Sequence, residues 1–89
     1  MLLQNKKALV TGSSRGIGRG IVESFIKNGC EVWGLCSKES AGKAEIEALA
    51  KENGVAFHEI YADVGNAEQV TEVVKAALAE AGGFDVLVN

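Results

Sequence analysis

Four short apolar runs, Lys7–Thr11, Glu31–Cys36, Ala56–Tyr61 and Asp85–Asn89, are separated each time by a stretch long enough to form a helix. Two of the runs are nearly continuous rather than alternating, the pattern of strands covered on both faces of a parallel sheet. The first intervening stretch sets Ile17, Ile21, Val22, Phe25 and Ile26 on one helical face and stops at Gly29. The second, about Ser40–Asn53, carries Ile46, Leu49 and Ala50 and ends at Asn53-Gly54. The third, about Ala67–Ala81, turns Val70, Val73, Val74, Ala77, Leu78 and Ala81 inward and ends at Gly82-Gly83. Asn66, with Gln69 three residues later, reads as an N-cap with a reciprocal partner. The predicted order is β-α-β-α-β-α-β. Right-handed crossovers between parallel strands then favour a doubly wound sheet in the order 3-2-1-4.

The turn between the first strand and first helix, TGSSRGIG (Thr11–Gly18), holds three glycines and almost nothing that packs. In such sheets this turn holds a phosphate, because helix N-terminal N–H groups and the helix dipole both favour an anion. Glycines let the ligand approach the backbone, and Ser13 and Ser14 offer hydroxyl donors. The spacing Gly12-x-x-x-Gly16-x-Gly18 lengthens the first gap of G-x-G-x-x-G. It is not a P-loop, since Arg19-Gly20 stands where Lys-Ser/Thr would follow the last glycine. The alternative is a plain tight turn with no ligand.

The totals narrow the partners. An 89-residue chain makes one small domain, which buries about 60–65% of its unfolded surface. A net charge of −3, with Lys and Arg scattered, argues against a nucleic-acid surface. No apolar stretch reaches membrane-spanning length, and the N-terminus lacks a signal-peptide core, so no membrane partner is expected. Cys30 and Cys36 form no C-x-x-C pair and have only His58 to join them in a metal site. They read as small buried hydrophobes, which fits a cytoplasmic setting. His58 has no evident acid–base partner and reads as structural. Trp33 and Tyr61 read as packing residues, and Glu45, Glu47 and Lys51 as a solvated helix face.

TGSSRGIG resembles the T-G-x-x-x-G-x-G turn of the short-chain dehydrogenase/reductases. Asp63-Val64 after the third strand, and Asp85-Val86-Leu87-Val88-Asn89, which looks like the opening of that family's N-N-A-G segment, agree with it. Within the family, TGSSRGIGRG and the second strand look most like the bacterial 3-oxoacyl-[acyl-carrier-protein] reductases. The resemblance implies a Rossmann-type α/β sheet and hydride transfer between a nicotinamide and a carbonyl or alcohol. It implies cofactor contacts from Gly12, Ser13, Ser14, Arg15, Gly16, Ile17 and Gly18. It also implies that Asp63 meets the adenine amino group, that Val64 meets the ring face, and that Asn89 lies beside the cofactor. Read from the residues alone, Asp63 is equally a turn or helix-entry residue before Gly65-Asn66, and Asn89 can fray.

A site that prefers NAD sets a carboxylate about 20 residues past the glycines, on the ribose 2′-hydroxyl. Here the second strand ends Leu35-Cys36-Ser37-Lys38, with no acid before Glu39. Arg15, Ser37 and Lys38 supply the donors that a 2′-phosphate needs, so NADP(H) is the expected cofactor. The alternative for Lys38 is a solvated loop lysine. The family's Tyr-x-x-x-Lys pair and catalytic serine have no counterpart: Tyr61 is followed four residues later by Gly65. Residues 1–89 therefore read as the dinucleotide-binding part of such a domain without its catalytic half, inactive alone. With only the third helix on one face, Val86-Leu87-Val88 is expected to form an exposed apolar edge. That edge implies either self-association or a C-terminal remainder that covers it.

Overall fold

The computed structural model describes residues 2–14 and 16–89. Strands β1 (Lys7–Thr11), β2 (Glu31–Cys36), β3 (Phe57–Tyr61) and β4 (Val86–Val88) alternate with helices α1 (Gly16–Lys27), α2 (Lys43–Glu52) and α3 (Ala67–Ala81). The strands form one parallel sheet in the order β3-β2-β1-β4, as expected. In register, Leu9 lies beside Trp33 and Leu87, and Trp33 beside His58.

Successive strand residues face opposite sides of the sheet, and two cores result. On one side Ala8, Val10, Cys30 and Val32 pack against Val22 and Ile26 of α1 and Ile46 and Ala50 of α2. On the other, Leu9 and Trp33 pack against Ala77 and Ala81 of α3, with Ile60, Val74 and Phe84 at the margin. Both cysteines are buried and unbridged.

The ends of the elements depart from expectation in informative ways. Helix α2 begins at Lys43, not near Ser40, because Ser40 donates its N–H and hydroxyl to Glu59, at 2.8 and 2.6 Å. Helix α3 is capped by Asn66, whose Oδ1 accepts from the Gln69 N–H at 3.1 Å. The expected reciprocal bond is replaced. The Gln69 side chain accepts from the Asp63 N–H, and the Asn66 N–H donates to the Asp63 carbonyl at 2.8 Å. Gly82, at φ 77°, ends α3 in the left-handed conformation. Strand β4 is short because Asp85 folds onto β1: its carboxylate accepts from the Lys7 N–H at 2.9 Å, and its own N–H donates to the Lys7 carbonyl at 2.8 Å. The Lys7 ammonium donates to the Ala81 carbonyl, so the start of β1 fixes both ends of the α3–β4 connection.

Two residues assigned to buried faces are exposed. Ile17 is 84% exposed, since the first turn of α1 projects beyond the carboxyl end of the sheet. Leu78 is 46% exposed, because among the described residues no second helix lies beside α3. Tyr61 is also exposed rather than packed, and its hydroxyl donates to Glu59 at 2.9 Å.

Candidate functional site

At the carboxyl ends of β1 and β2 the chain turns through Gly12–Ser14 into α1. Gly12 and Gly16 have φ of 65° and 61°, a conformation that side chains with a Cβ resist. Gly18 is required for a different reason. A Cβ there would lie 2.0 Å from the Gly12 carbonyl oxygen, so only a bare α-carbon lets the first turn of α1 rest on the glycine loop. The N–H groups of Gly12 and Ser13 are spent inside the protein, on the Leu35 carbonyl at 3.0 and 3.4 Å. Those of Gly16, Ile17 and Gly18 open α1, where the helix supplies no acceptor, and an anion fits them.

The two serines differ. Ser13 is 6% exposed, and its hydroxyl is buried beside the Cys36 thiol without a well-formed hydrogen bond among the described residues. Its side chain faces Gly34 of β2 rather than the open side of the turn. Ser14 instead lines an open cleft of about 460 Å³ with Ser37, Lys38, Glu39, Ser40 and Ala41. Arg15 lies outside the described residues. Ser37 and Lys38 are exposed on the cleft wall, and Glu39 is engaged by Lys43 at 3.4 Å.

The carboxyl of Glu59, beneath this cleft, is pulled both ways. Burial works against its charge, but the bonds from Ser40 and Tyr61 outweigh burial and hold it below its ordinary range. Burial first, then the neighbouring Glu59 charge, pushes the Cys36 thiol upward, so it is not a poised nucleophile.

Beyond β3, Asp63 performs the turn role that the sequence left open, since its Oδ1 accepts from the Gly65 N–H at 2.9 Å. Val64 stands 70% exposed beside it. Asn89 is exposed at the end of β4, next to Val88, whose carbonyl accepts from the Thr11 hydroxyl at 3.2 Å. The glycine turn, the Ser37–Lys38 loop, Asp63-Val64 and Asn89 thus all lie at one end of the sheet, where open α/β sheets bind ligands. A second hollow of about 320 Å³, lined in part by Lys6, Lys7, Gly29 and Glu31, lies at the opposite end.

One cluster escaped the sequence. His58, read as lacking a partner, has its Nε2 2.6 Å from the Glu31 carboxylate and its ring stacked on Trp33, with centroids 4.2 Å apart. Only the parallel register of β2 and β3 brings these distant residues together. The contact joins the two strands far from the glycine turn. Among the described residues, no group of three or more His, Cys, Asp and Glu is placed to hold a metal, and no helix is long and apolar enough to cross a membrane.

Comparison with known proteins agrees with this arrangement. The sequence matches the family model for short chain dehydrogenases over residues 6–89. It is 41% identical to the 3-oxoacyl-[acyl-carrier-protein] reductase FabG of Chlamydia muridarum, over 99% of this chain and 36% of that protein. The chain therefore spans about a third of the length of the curated relatives it matches. Among solved structures, a short-chain dehydrogenase/reductase of Serratia marcescens superposes with a TM-score of 0.88 at 30% identity, covering 100% of this chain and 36% of that one. The NADH-dependent reductase A1-R′ complexed with NAD superposes with a TM-score of 0.86 at 28% identity, covering 98% of this chain and 36% of that one. The chain belongs to the short chain dehydrogenase family, an oxidoreductase family.

Proposed function

We propose that this chain is the NADP(H)-binding portion of a short-chain oxidoreductase whose whole form reduces a 3-oxoacyl carrier-protein or similar carbonyl substrate by hydride transfer. The observation that carries the reading is the seating of Gly18 on the Gly12 carbonyl, which presents the first N–H groups of α1 at the carboxyl end of the sheet. A pyrophosphate there meets the N–H groups of Gly16, Ile17 and Gly18 and the side chain of Ser14. The exposed side chains of Val64 and Ile17 offer apolar surface to the flat rings of a dinucleotide. Asp63 spends Oδ1 on its turn, and in this reading Oδ2 meets the adenine amino group. Asn89 lies beside the cofactor at the end of β4.

The choice of NADP(H) rests on the cleft. Ser37 and Lys38 are exposed on its wall, Arg15 precedes α1 in the sequence, and the charge of Glu39 on the same wall is offset by Lys43 at 3.4 Å. The fold does not decide the matter, since an NADH-dependent reductase shares it. A carbonyl reduction also needs a proton donor, and these residues contain no Tyr-x-x-x-Lys pair, so the chain alone is not expected to turn over. The buried, unbridged thiols go with a cytoplasmic setting.

Calorimetric titration of the full chain with NADPH and NADH tests this. Trp33 is a poor reporter, being 1% exposed and stacked under His58. NADPH should bind more tightly, and Lys38→Ala should weaken NADPH by about tenfold while leaving NADH unchanged, the loss of one charged hydrogen bond. Equal affinities would remove the 2′-phosphate assignment, and no binding of either would remove the dinucleotide reading. A second reading, a non-catalytic nucleotide-binding module that associates through β4, is favoured by Leu87, which is 71% exposed.

A further inference from the structure

Gly34 lies in the middle of β2, hydrogen-bonded between β1 and β3, where glycine weakens a strand and has no conformational purpose. Its backbone is not left-handed, so the reason for glycine is space. A Cβ on Gly34 would lie 2.5 Å from Ser13 Oγ, 2.9 Å from Ser13 Cβ and 3.2 Å from a ring carbon of Phe57. The Ser13 side chain occupies the notch that the missing Cβ leaves.

We propose that Gly34 is a positioning residue of the dinucleotide site: its notch seats the Ser13 side chain and thereby sets the glycine turn and the N-terminus of α1. The proposal rests on the dinucleotide reading above. The Ser13 hydroxyl makes no well-formed hydrogen bond among the described residues, and its polar neighbour is the buried Cys36 thiol, a weak partner, so the shape of the notch is the main restraint on the side chain. The contact continues to the ligand end. The site where a Cβ would stand on Gly18 is 2.0 Å from the Gly12 oxygen and 3.4 Å from Ser13 Cα. A displacement that starts at residue 34 therefore passes through Ser13 to the first turn of α1, whose N–H groups face the pyrophosphate. Gly34 itself touches no ligand.

A double-mutant cycle read by calorimetry tests the idea in the full chain, at a temperature where circular dichroism shows every variant folded. Gly34→Ala should weaken NADPH by about tenfold to a hundredfold, the range that overpacking strain corresponds to. In the Ser13→Gly background, which removes both crowded atoms, the same substitution should change affinity less than about twofold, so the two sites couple. A purely structural role would lower the melting temperature and leave this folded-state affinity alone. Phe57→Leu in the Gly34→Ala background is the control for the ring contact. Rescue by Phe57→Leu and not by Ser13→Gly would overturn the proposal. So would an unchanged NADPH affinity of Gly34→Ala when the parent chain binds. A parent chain that binds neither dinucleotide would instead fail the functional reading, and the proposal would fall with it.

Discussion

The two faces of the sheet are built differently. The face under α1 and α2 is closed: Ala8, Val10, Ile26, Cys30 and Val32 are wholly buried there. The face under α3 is closed over Leu9 of β1, Trp33 of β2 and His58 of β3, by the Trp33–His58 stack, the edge-on Phe84 ring and the small side chains of Ala77 and Ala81. Toward the carboxyl ends of β1, β2 and β4 it opens into a groove of about 220 Å³ whose lining includes Thr11, Leu35, Val70, Val74, Leu87 and Asn89. A parallel sheet with apolar residues on both faces needs a full layer on each. Among the described residues two helices make one layer and one helix makes part of the other. Stability should therefore sit on the closed face, and unsatisfied apolar surface on the open one.

The largest effect expected from this comparison is that of Ile26→Ala. Ile26 is 0% exposed within the closed core, and its truncation leaves a cavity there. A loss of about 2–5 kcal/mol is expected. In a domain of this size that lowers the melting temperature by about 4–8 °C per kcal/mol, and thermal denaturation followed by circular dichroism measures it. A loss below about 1 kcal/mol would mean the closed face is loosely packed, and the contrast would fail.

A smaller effect is expected from Cys30, on the same face. Burial first, then the nearby charges of Asp85 and Glu31, moves its thiol from 9.0 to about 11. The folded state thus holds this proton more tightly than the unfolded chain does. Its contribution is fully present below pH 9.0 and is lost as pH rises through about 11. At about 1.4 kcal/mol per pH unit the share is of the order of 2–3 kcal/mol. Cys36 and Tyr61 shift in the same direction and add to the alkaline limb. Urea titrations at successive pH values should show Cys30→Ala with a shallower alkaline fall than the parent; an identical slope would place the thiol in contact with solvent.

The same contrast governs what the sequence made legible. Strand runs, helix periodicity and the 3-2-1-4 order could be read because each depends on residues close in sequence and on crossover handedness. The glycine spacing of the turn could be read for the same reason. Periodicity gives a side chain's angle about a helix but not what stands opposite it. Ile17 and Leu78 have the right angle, yet one lies past the end of the sheet and the other on the side of α3 that packs against no described helix. The Gly34 notch and the Glu31–His58 contact were illegible, because their cause is a neighbour brought in by strand register. Asp63 shows the same limit at the site: the sequence offered two roles, and only the Gly65 contact revealed that one oxygen holds the turn.

The smallest expected change in stability, and the sharpest test of the open face, is Leu87→Lys. Leu87 pairs in register with Leu9 but is 71% exposed, so the substitution removes little burial and should alter stability by no more than about 0.5 kcal/mol. Its effect on association should be larger. Strand β4 presents unpaired backbone groups and an apolar side chain on one edge, a template for another strand, and a lysine there opposes like-charged pairing and resists desolvation. Sedimentation velocity of the parent chain over a rising concentration series should show species heavier than a monomer, and Leu87→Lys should shift them back. A parent that stays monomeric throughout would show that the groove does not drive association. A Leu87→Lys loss as large as that of Ile26→Ala would show that the face which looks open is closed in solution.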